Sequence, residues 1–553
     1  MKKRRQYIAI LASLFSLPVV ACNGGATSSE DMFSTGSSSL APVINLRDDT
    51  RKNYELDESS SNKDGSMSYE IFVRSFYDSN KDGIGDLNGV KQKLPYLASL
   101  GIKTLWLMPI FPSPTYHGYD ISNYYDINRD YGNMGEFESL VETADEYNID
   151  IMLDMVLNHS SKENPWFEQS YQDYVNNNTS KNSKKDWYNW SNKRSLDYHE
   201  YKGKFYEGRF DSSMPDLNWD CDAVRDEIEN ITKFWISKGV KGFRLDAVLY
   251  FYYKNTTRNV EALSWLEETA HKYDPNFYMV GEAWDSNDVV LDYHKSKCDS
   301  FFKFKSSING FDSGTIQGVV KGTNSAKDFA SSIENYEKKV KENNKDGYSS
   351  YFLSNHDLDR CSYSFSGDYA KAAASLYCLL PGTPFMYYGE EIELKGKRIT
   401  SPDDCSDARR RLPIIWSELD KTGECKFPER NRESQLGDNE QVKKGVNDQL
   451  ATPYSLVNHY QKVINVRNKY PMFKHGVFTS AVSLLNTDNK HVLAYKISLN
   501  DDYIYVVHNF DSVAVEVTAP GQEILDEINT SRKLPELENG KLRLGAYSTV
   551  IVK

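Results

Sequence analysis

Between Ser66 and about Tyr470, short β-branched or aromatic runs alternate with longer amphipathic stretches, the signature of parallel strands joined by crossover helices. The runs are Tyr69–Phe76, Thr104–Ile110, Asp150–Val156, Gly242–Val248, Phe277–Trp284, Phe301–Phe304, Ser350–Asn355 and Phe385–Tyr388. Eight such units close a (β/α)₈ barrel. The rival, an open doubly wound sheet, is weakened because no Gly-rich fingerprint follows the first run. The expected fold class is therefore α/β, a (β/α)₈ TIM barrel. A chain of 553 residues has room for it and for more.

The remainder of the chain divides around that barrel. Some eighty residues rich in Asn, Tyr, Trp, Ser and Lys separate His159 from the run at Gly242, far more than a β-to-α loop needs. They predict an inserted subdomain over 160–218, with the barrel over 66–159 and 219–470. From 471 to 553 the pattern becomes alternating strands with turn residues, at Val482–Leu485, Val492–Ile497, Tyr503–Asn509, Val513–Thr518 and Leu542–Val552. This predicts a C-terminal antiparallel β-sandwich domain.

The first residues read as an address. Lys2, Lys3, Arg4 and Arg5 precede an apolar run, Tyr7–Ala21, that is too short for a permanent membrane span. Residues 1–21 are thus expected to be a signal peptide, and Val19-Val20-Ala21-Cys22 resembles a bacterial lipoprotein box in which Cys22 takes the lipid. Residues 22–65 are dominated by Ser, Asn, Asp, Gly and Thr and predict a flexible tether. The expected location is extracytoplasmic, with the membrane touched through the lipid alone.

Charge and composition narrow the partners. With 66 Lys plus Arg against 79 Asp plus Glu, the net charge of −13 argues against a nucleic-acid surface. The 38 Tyr and 9 Trp suit ligands with flat faces and hydroxyl edges, as sugars have. The seven Cys are dispersed without the close pairs of a zinc site, and their spacing does not give a disulfide connectivity.

Ionisable residues cluster where the predicted strands end, and in a barrel all those ends converge on one mouth. Asp246, Glu282 and Asp357 can face one another there, as glycoside hydrolysis requires: one carboxylate to attack or activate water, another to hold a proton near neutral pH. Arg244 lies two residues before Asp246, on the same strand face, and can keep it ionised. Trp284 beside Glu282 predicts an apolar setting that keeps the acid protonated.

The segments Asp154-Met-Val-Leu-Asn-His159, Gly242-Phe-Arg-Leu-Asp246-Ala, Val280-Gly-Glu282-Ala-Trp and Phe352-Leu-Ser-Asn-His-Asp357 resemble, in order and spacing, the four signature regions of the α-amylase family, glycoside hydrolase family 13. The resemblance implies a retaining double displacement with Asp246 as nucleophile, Glu282 as general acid/base and Asp357 as transition-state stabiliser. It implies that His159, Arg244 and His356 hold the same sugar ring, and Tyr116-His117-Gly118-Tyr119-Asp120 resembles the segment whose Tyr stacks under it, adding Tyr119 and Asp120 to the substrate contacts. Met214-Pro-Asp-Leu-Asn218 is similar to the fifth region of subfamily 36, intermediate between oligo-1,6-glucosidases and neopullulanases. Ala247 is the small residue usual in enzymes that favour α-1,4 bonds. Leu249-Tyr250 departs from the Lys-His many α-amylases carry there, which opens the leaving-group side to a different construction.

The expected function is hydrolysis of internal α-1,4 bonds of α-glucans such as starch and maltodextrins. The alternative is exo-acting α-glucosidase or glucanotransferase action on short malto-oligosaccharides. An inactive glucan-binding relative would have lost members of the triad, and this chain keeps all three. Asp78, Asn80, Asp82, Ile84 (through its carbonyl) and Asp86 alternate around Gly83, the arrangement of a Ca²⁺ loop, so bound calcium is expected as a stabilising cofactor.

Overall fold

The computed structural model describes residues 67–308, 314–398, 407–427, 441–531 and 534–553. The expected signal peptide, Cys22, the tether and Cys405 lie outside the described residues. Three strands open the barrel: β1 (Ser68–Ile71), β2 (Thr104–Leu107) and β3 (Asp150–Met155). After β3 come a helix (Pro165–Val175) and three short strands, β4 (Trp190–Ser191), β5 (Tyr198–Tyr201) and β6 (Lys204–Glu207), which pair in the order β4-β6-β5. The barrel resumes with β7 (Gly242–Leu245), β8 (Tyr278–Gly281), β9 (Ser300–Phe302), β10 (Tyr348–Ser350) and β11 (Phe385–Tyr387).

All eight barrel strands run parallel in the order β10-β9-β8-β7-β3-β2-β1-β11. A parallel bridge between Phe352 and Phe385 brings the two ends together. Seven strands overlap the expected apolar runs and are shorter, because each run continues past the last ladder bond into the loops at the mouth; β10 (Tyr348–Ser350) instead precedes the expected Ser350–Asn355 and shares only Ser350 with it, because the pairing with β9 uses the serine-rich residues before the apolar run.

The helices follow from their sequence. The helix Leu87–Leu100 starts where the Asp86 side chain accepts the Gly89 N–H at 2.8 Å and ends on Gly101 in the left-handed region. The helix Asp222–Ser237 buries Val224, Ile228, Ile231 and Trp235, one stripe at helical spacing, with Trp235 packed edge-on against Phe111 and Phe137. Inside the barrel, Trp106, Met152, Val280, Phe302, Phe304, Phe352, Leu358 and Phe385 pack into a core of their own. The mouth therefore has a rigid, water-excluding floor. Truncating Trp106 to Ala in that floor is expected to cost about 3–5 kcal/mol.

The C-terminal region contains β12 (Val477–Ser480), β13 (Val492–Leu499), β14 (Asp502–Asn509), β15 (Val515–Thr518), β16 (Ile524–Ile528), β17 (Glu536–Glu538), β18 (Lys541–Leu544) and β19 (Thr549–Val552). They form a five-stranded antiparallel sheet, β12-β13-β14-β19-β16, and a three-stranded one, β15-β18-β17, with a common apolar core. Two expectations are corrected. Val482–Leu485 is a 3₁₀ turn, because only Leu485 of the four is buried and the chain there lacks the alternation of a strand. Leu542–Val552 is two strands, divided by a turn in which Tyr547 takes φ 51°. Among the described residues Cys221, Cys298, Cys361, Cys378 and Cys425 are free thiols, and no helix is long and apolar enough to cross a membrane.

Candidate active site

The barrel register sets the floor of the site. Glu70 on β1 is level with Trp106 on β2, and Asp154 on β3 is level with Arg244 on β7. The ladder continues past the strands, since Asp246 N–H donates to the Met155 carbonyl and Glu282 N–H to the Leu245 carbonyl. That places Asp246 and Glu282 side by side on the rim.

Arg244 organises the cluster. Its Nη1 lies 2.7 Å from Asp154 Oδ1 and 2.8 Å from Asp246 Oδ1, and its Nη2 lies 3.1 Å from Glu282 Oε1. One planar guanidinium thus spans the two carboxyls expected to do the chemistry. Arg244 is itself buried, over the Trp106 ring at 5.2 Å and the Tyr119 ring at 5.7 Å. Burial opposes its charge, but Asp154 and Glu282 more than restore it, so it stays protonated at every working pH.

Glu282 is pushed up to about 7, by burial first, against the pull of Arg244, and then by the charges of Asp246 and Asp357. Its Oε2 accepts the Ala247 N–H at 3.1 Å. This bond exists because Ala247 turns to φ 50°, a left-handed conformation costing an L-residue about 1–2 kcal/mol. Gly281 is also required, for a Cβ there would lie 2.5 Å from the Phe301 ring. Trp284 differs from expectation: it is 48% exposed and stacked on Phe304 at 4.5 Å, so the desolvation of Glu282 comes from the buried strand end rather than from a covering Trp284.

Asp357 is held from two sides. His356 Nε2 is 3.0 Å from its Oδ2 and Arg411 Nη2 is 3.1 Å from its Oδ1. Burial alone would raise the carboxyl, but His356 and Arg411 overcome it and hold it well below the usual carboxylate range. His356 is raised to about 10: burial works against its charge, and Asp357 with Glu70, 2.5 Å from Nδ1, outweighs that. The imidazolium is therefore permanent at neutral pH. Tyr119 lies on the same ring, stacked on His356 at 5.5 Å with its hydroxyl 2.6 Å from Nε2 and donating to Asp154 at 2.9 Å.

The other expected site residues sit around this centre. His159 is buried, its pKa lowered by burial, and among the described residues its Nε2 has no hydrogen-bond partner. A buried ring nitrogen left open at a mouth is available to a hydroxyl. Asp120 stands one step back, its Oδ1 accepting from Ser113 and Thr115, with Thr115 Oγ1 3.3 Å from His117 Nδ1. His117 is lowered to about 3, by burial and then by Arg411, and stays neutral.

Sequence reading left Glu70, Asp154 and Arg411 out of the substrate and catalytic set. Glu70 and Asp154 carried a signal, a carboxylate inside an otherwise apolar strand. Arg411 carried little, since the run Arg409–Arg411 reads as a solvated charge patch.

The loop expected to bind calcium is built differently. Asp78 accepts from Lys81 N–H at 2.6 Å and Gly83 N–H at 2.7 Å, Asn80 from Asp82 N–H, Asp82 from Ile84 N–H, and Asp86 from Ser79 and Gly89. Among the described residues no three acidic, His or Cys side chains converge in a metal-holding arrangement. The donors are nonetheless all oxygens, and no described cation pairs with Asp78, Asp82 or Asp86, which suits a hard cation.

Residues 70–476 match the family described as "Alpha amylase, catalytic domain", and residues 492–551 that described as "Alpha-amylase SusG C-terminal domain". The chain belongs to glycoside hydrolase family 13, the α-amylase family. It is 37% identical to Alpha-amylase 3 of Dictyoglomus thermophilum over 495 residues, 88% of this chain and 92% of that protein. It is 29% identical to an oligo-1,6-glucosidase of Parageobacillus thermoglucosidasius, over 80% of this chain and 89% of that one. Among solved structures, Eubacterium rectale Amy13B superposes with a TM-score of 0.80 at 31% identity, covering 88% of this chain and 95% of that one. The protein is thus a glucan-hydrolysing member of the family.

Proposed function

We propose that this family 13 enzyme hydrolyses internal α-1,4-glucosidic bonds of starch and maltodextrins with retention of configuration. The observation that supports this most is the Arg244 guanidinium shared by Asp246 and Glu282, which keeps the carboxyls close, as the short separation of about 5 to 5.5 Å in retaining enzymes requires. Asp246 attacks the anomeric carbon while Glu282, protonated up to about pH 7, gives its proton to the leaving glycosidic oxygen. The C–O bond to the leaving sugar breaks as the Asp246 ester forms. Glu282, now a carboxylate, takes a proton from water, whose oxygen attacks the anomeric carbon from the face the leaving sugar vacated, opposite Asp246, and breaks the ester bond. Asp357, His356, His159 and Tyr119 grip the ring in which positive charge develops. The first product anomer, read by proton NMR within the first minutes of hydrolysis of a maltodextrin, is expected to be α; a β anomer would overturn the retaining assignment.

Similarity to the Parageobacillus oligo-1,6-glucosidase favours a second reading, exo-acting α-glucosidase or glucanotransferase action on short malto-oligosaccharides. Iodine colour and reducing ends measured together on soluble starch separate the two, because internal cuts destroy colour early and exo cuts leave it. The N-terminal residues support export and lipid anchoring at Cys22, and detergent partitioning of a Cys22→Ser variant would overturn the anchor. Calcium, where bound, would be held by Asp78, Asn80, Asp82, Asp86 and the Ile84 carbonyl and would supply folded-state stability.

A further inference from the structure

Two consecutive arginines hold the turn that carries Asp357, and they hold different parts of it. Both lie on the 3₁₀ turn Ala408–Arg411. Arg411 pairs with Asp357 Oδ1, and its Nε donates to the His356 carbonyl at 3.3 Å. Arg410 takes the backbone instead: its Nη1 donates to the Asp357 carbonyl at 2.6 Å and its Nε to Asp359 Oδ1 at 2.9 Å. Asp407 accepts from the same Nη1 at 2.8 Å. A planar guanidinium bonded to three oxygens on two separate segments cannot swing without breaking charge-assisted bonds.

The grip is reciprocal. Arg360, on the same turn as Asp357, is fully buried, its guanidinium 3.9 Å over the Tyr387 ring and 4.5 Å over the Tyr388 ring. Its Nε donates to the Arg410 carbonyl at 2.9 Å. Each segment thus lends a guanidinium to the other's backbone, and the pair is anchored on β11 through Tyr387. A division of labour follows. His356 and Arg411 act on the Asp357 carboxylate and keep it ionised against the pull of burial. Arg410 bears on the carbonyl, so its removal leaves those two partners in place and frees the turn to shift.

We infer that Arg410 is a positioning residue: by clasping the Asp357 carbonyl to Asp359 and Asp407, it sets where the Asp357 carboxylate meets the sugar ring in the transition state. The inference rests on the proposed glucosidic hydrolysis, in which Asp357 grips the ring as positive charge develops. It goes beyond that reading by separating the residue that places this carboxylate from those that charge it. A grip that tightens only as the ring distorts contributes to kcat and little to KM, so misplacement is felt in turnover.

The test uses the full chain with maltotetraose as substrate. For Arg410→Met, kcat is expected to fall by about 10- to 100-fold while KM stays within about threefold, because a carboxylate displaced by about an ångström still admits the substrate. The alkaline midpoint near 7 is expected to stay, since Glu282 is untouched. Arg410→Lys, which keeps one charged donor for the Asp357 carbonyl, is expected to recover at least half of the loss on a logarithmic scale. Asp359→Ala removes a partly exposed partner of Arg410 and is expected to lower kcat by about three- to tenfold, with the double variant losing less than the product of the two single losses. A kcat for Arg410→Met within threefold of wild type well below its melting temperature, a loss mainly in KM, or losses that multiply in the double variant would overturn the positioning role. Unchanged kcat in Asp359→Ala would overturn it too, whether or not Arg410→Met folds. A wild-type enzyme inactive on maltotetraose would instead refute the hydrolytic reading itself, so the two failures are distinguishable.

Discussion

Two regions of the molecule gather carboxylates and hold them by opposite means. At the barrel mouth, Asp154, Asp246 and Glu282 share Arg244, and Asp357 is gripped by His356 and Arg411. In the Asp78–Asp86 loop the side-chain oxygens accept backbone N–H groups, and no described cation pairs with its three aspartates. Fixed cations on rigid strands can bury several acids a few ångströms apart and still give each its own proton affinity, which is what acid/base chemistry needs. Amides hold a loop's shape but leave its net negative charge uncompensated, which a hard cation can neutralise. We propose that the first arrangement serves catalysis and the second stability, and each claim can be broken separately.

Asp246→Asn removes one carboxylate from the Arg244 cluster without changing its volume. Its kcat/KM on soluble starch is expected to fall by about 10⁴-fold, since members of a catalytic set act as a unit. Its melting temperature is expected to shift by less than about 3 °C, as removing one of several like charges offsets the lost ion pair. Activity within tenfold of wild type would remove Asp246 from the chemistry. Unchanged activity with a large loss of stability would make the mouth a structural acid cluster, like the loop.

Glu70→Gln tests whether the cations at the mouth are themselves held in place. Glu70 is buried on Nδ1 of His356, and His356 lies on Asp357. Losing it is expected to lower kcat by about 10- to 100-fold and to bring the His356 imidazole down from about 10, read by NMR titration. An imidazole still titrating near 10 would show that Asp357 alone sustains the charge.

The pH profile sharpens the same point at lower cost. Glu282, raised to about 7, is protonated and able to act as acid below that value and loses this ability above it. On the alkaline side kcat/KM is therefore expected to fall with a midpoint near 7, approaching tenfold per pH unit. An alkaline limb that stays flat to pH 9 would assign the proton to another group.

Much of this was legible in the chain, for definite reasons. Strand runs announce themselves by apolar content, so seven of the eight barrel strands lie on the expected runs while β10 lies just before its run, and Asp246, Glu282 and Asp357 stand out as charges at or just past the ends of such runs. What the pattern could not carry was anything fixed by the tertiary fold. Arg411 reaches Asp357 from a 3₁₀ turn 54 positions later, and no local spacing encodes that. The left-handed turn at Ala247 hides because alanine gives no conformational warning, unlike glycine. Val482–Leu485 misled because its composition favours strand while its burial has a single inward residue.

The smallest expected effect concerns the loop. Asp82 is exposed and its one described role is to accept the Ile84 N–H, a bond that an Asn oxygen keeps. Asp82→Asn therefore preserves the loop's amide bonding and removes one charge from the donor set. If the loop binds calcium, wild type in millimolar Ca²⁺ gains free energy by mass action, about 2.7 kcal/mol at a hundredfold excess over Kd. For a protein of this size that corresponds to a few degrees, so chelator is expected to lower the melting temperature by about 5 °C. The variant is expected to show a smaller response and to need more Ca²⁺ for half of it, with kcat unchanged at saturating Ca²⁺. A wild-type melting temperature indifferent to chelator would leave the amides as the loop's whole means of support, and both carboxylate clusters would then be self-sufficient.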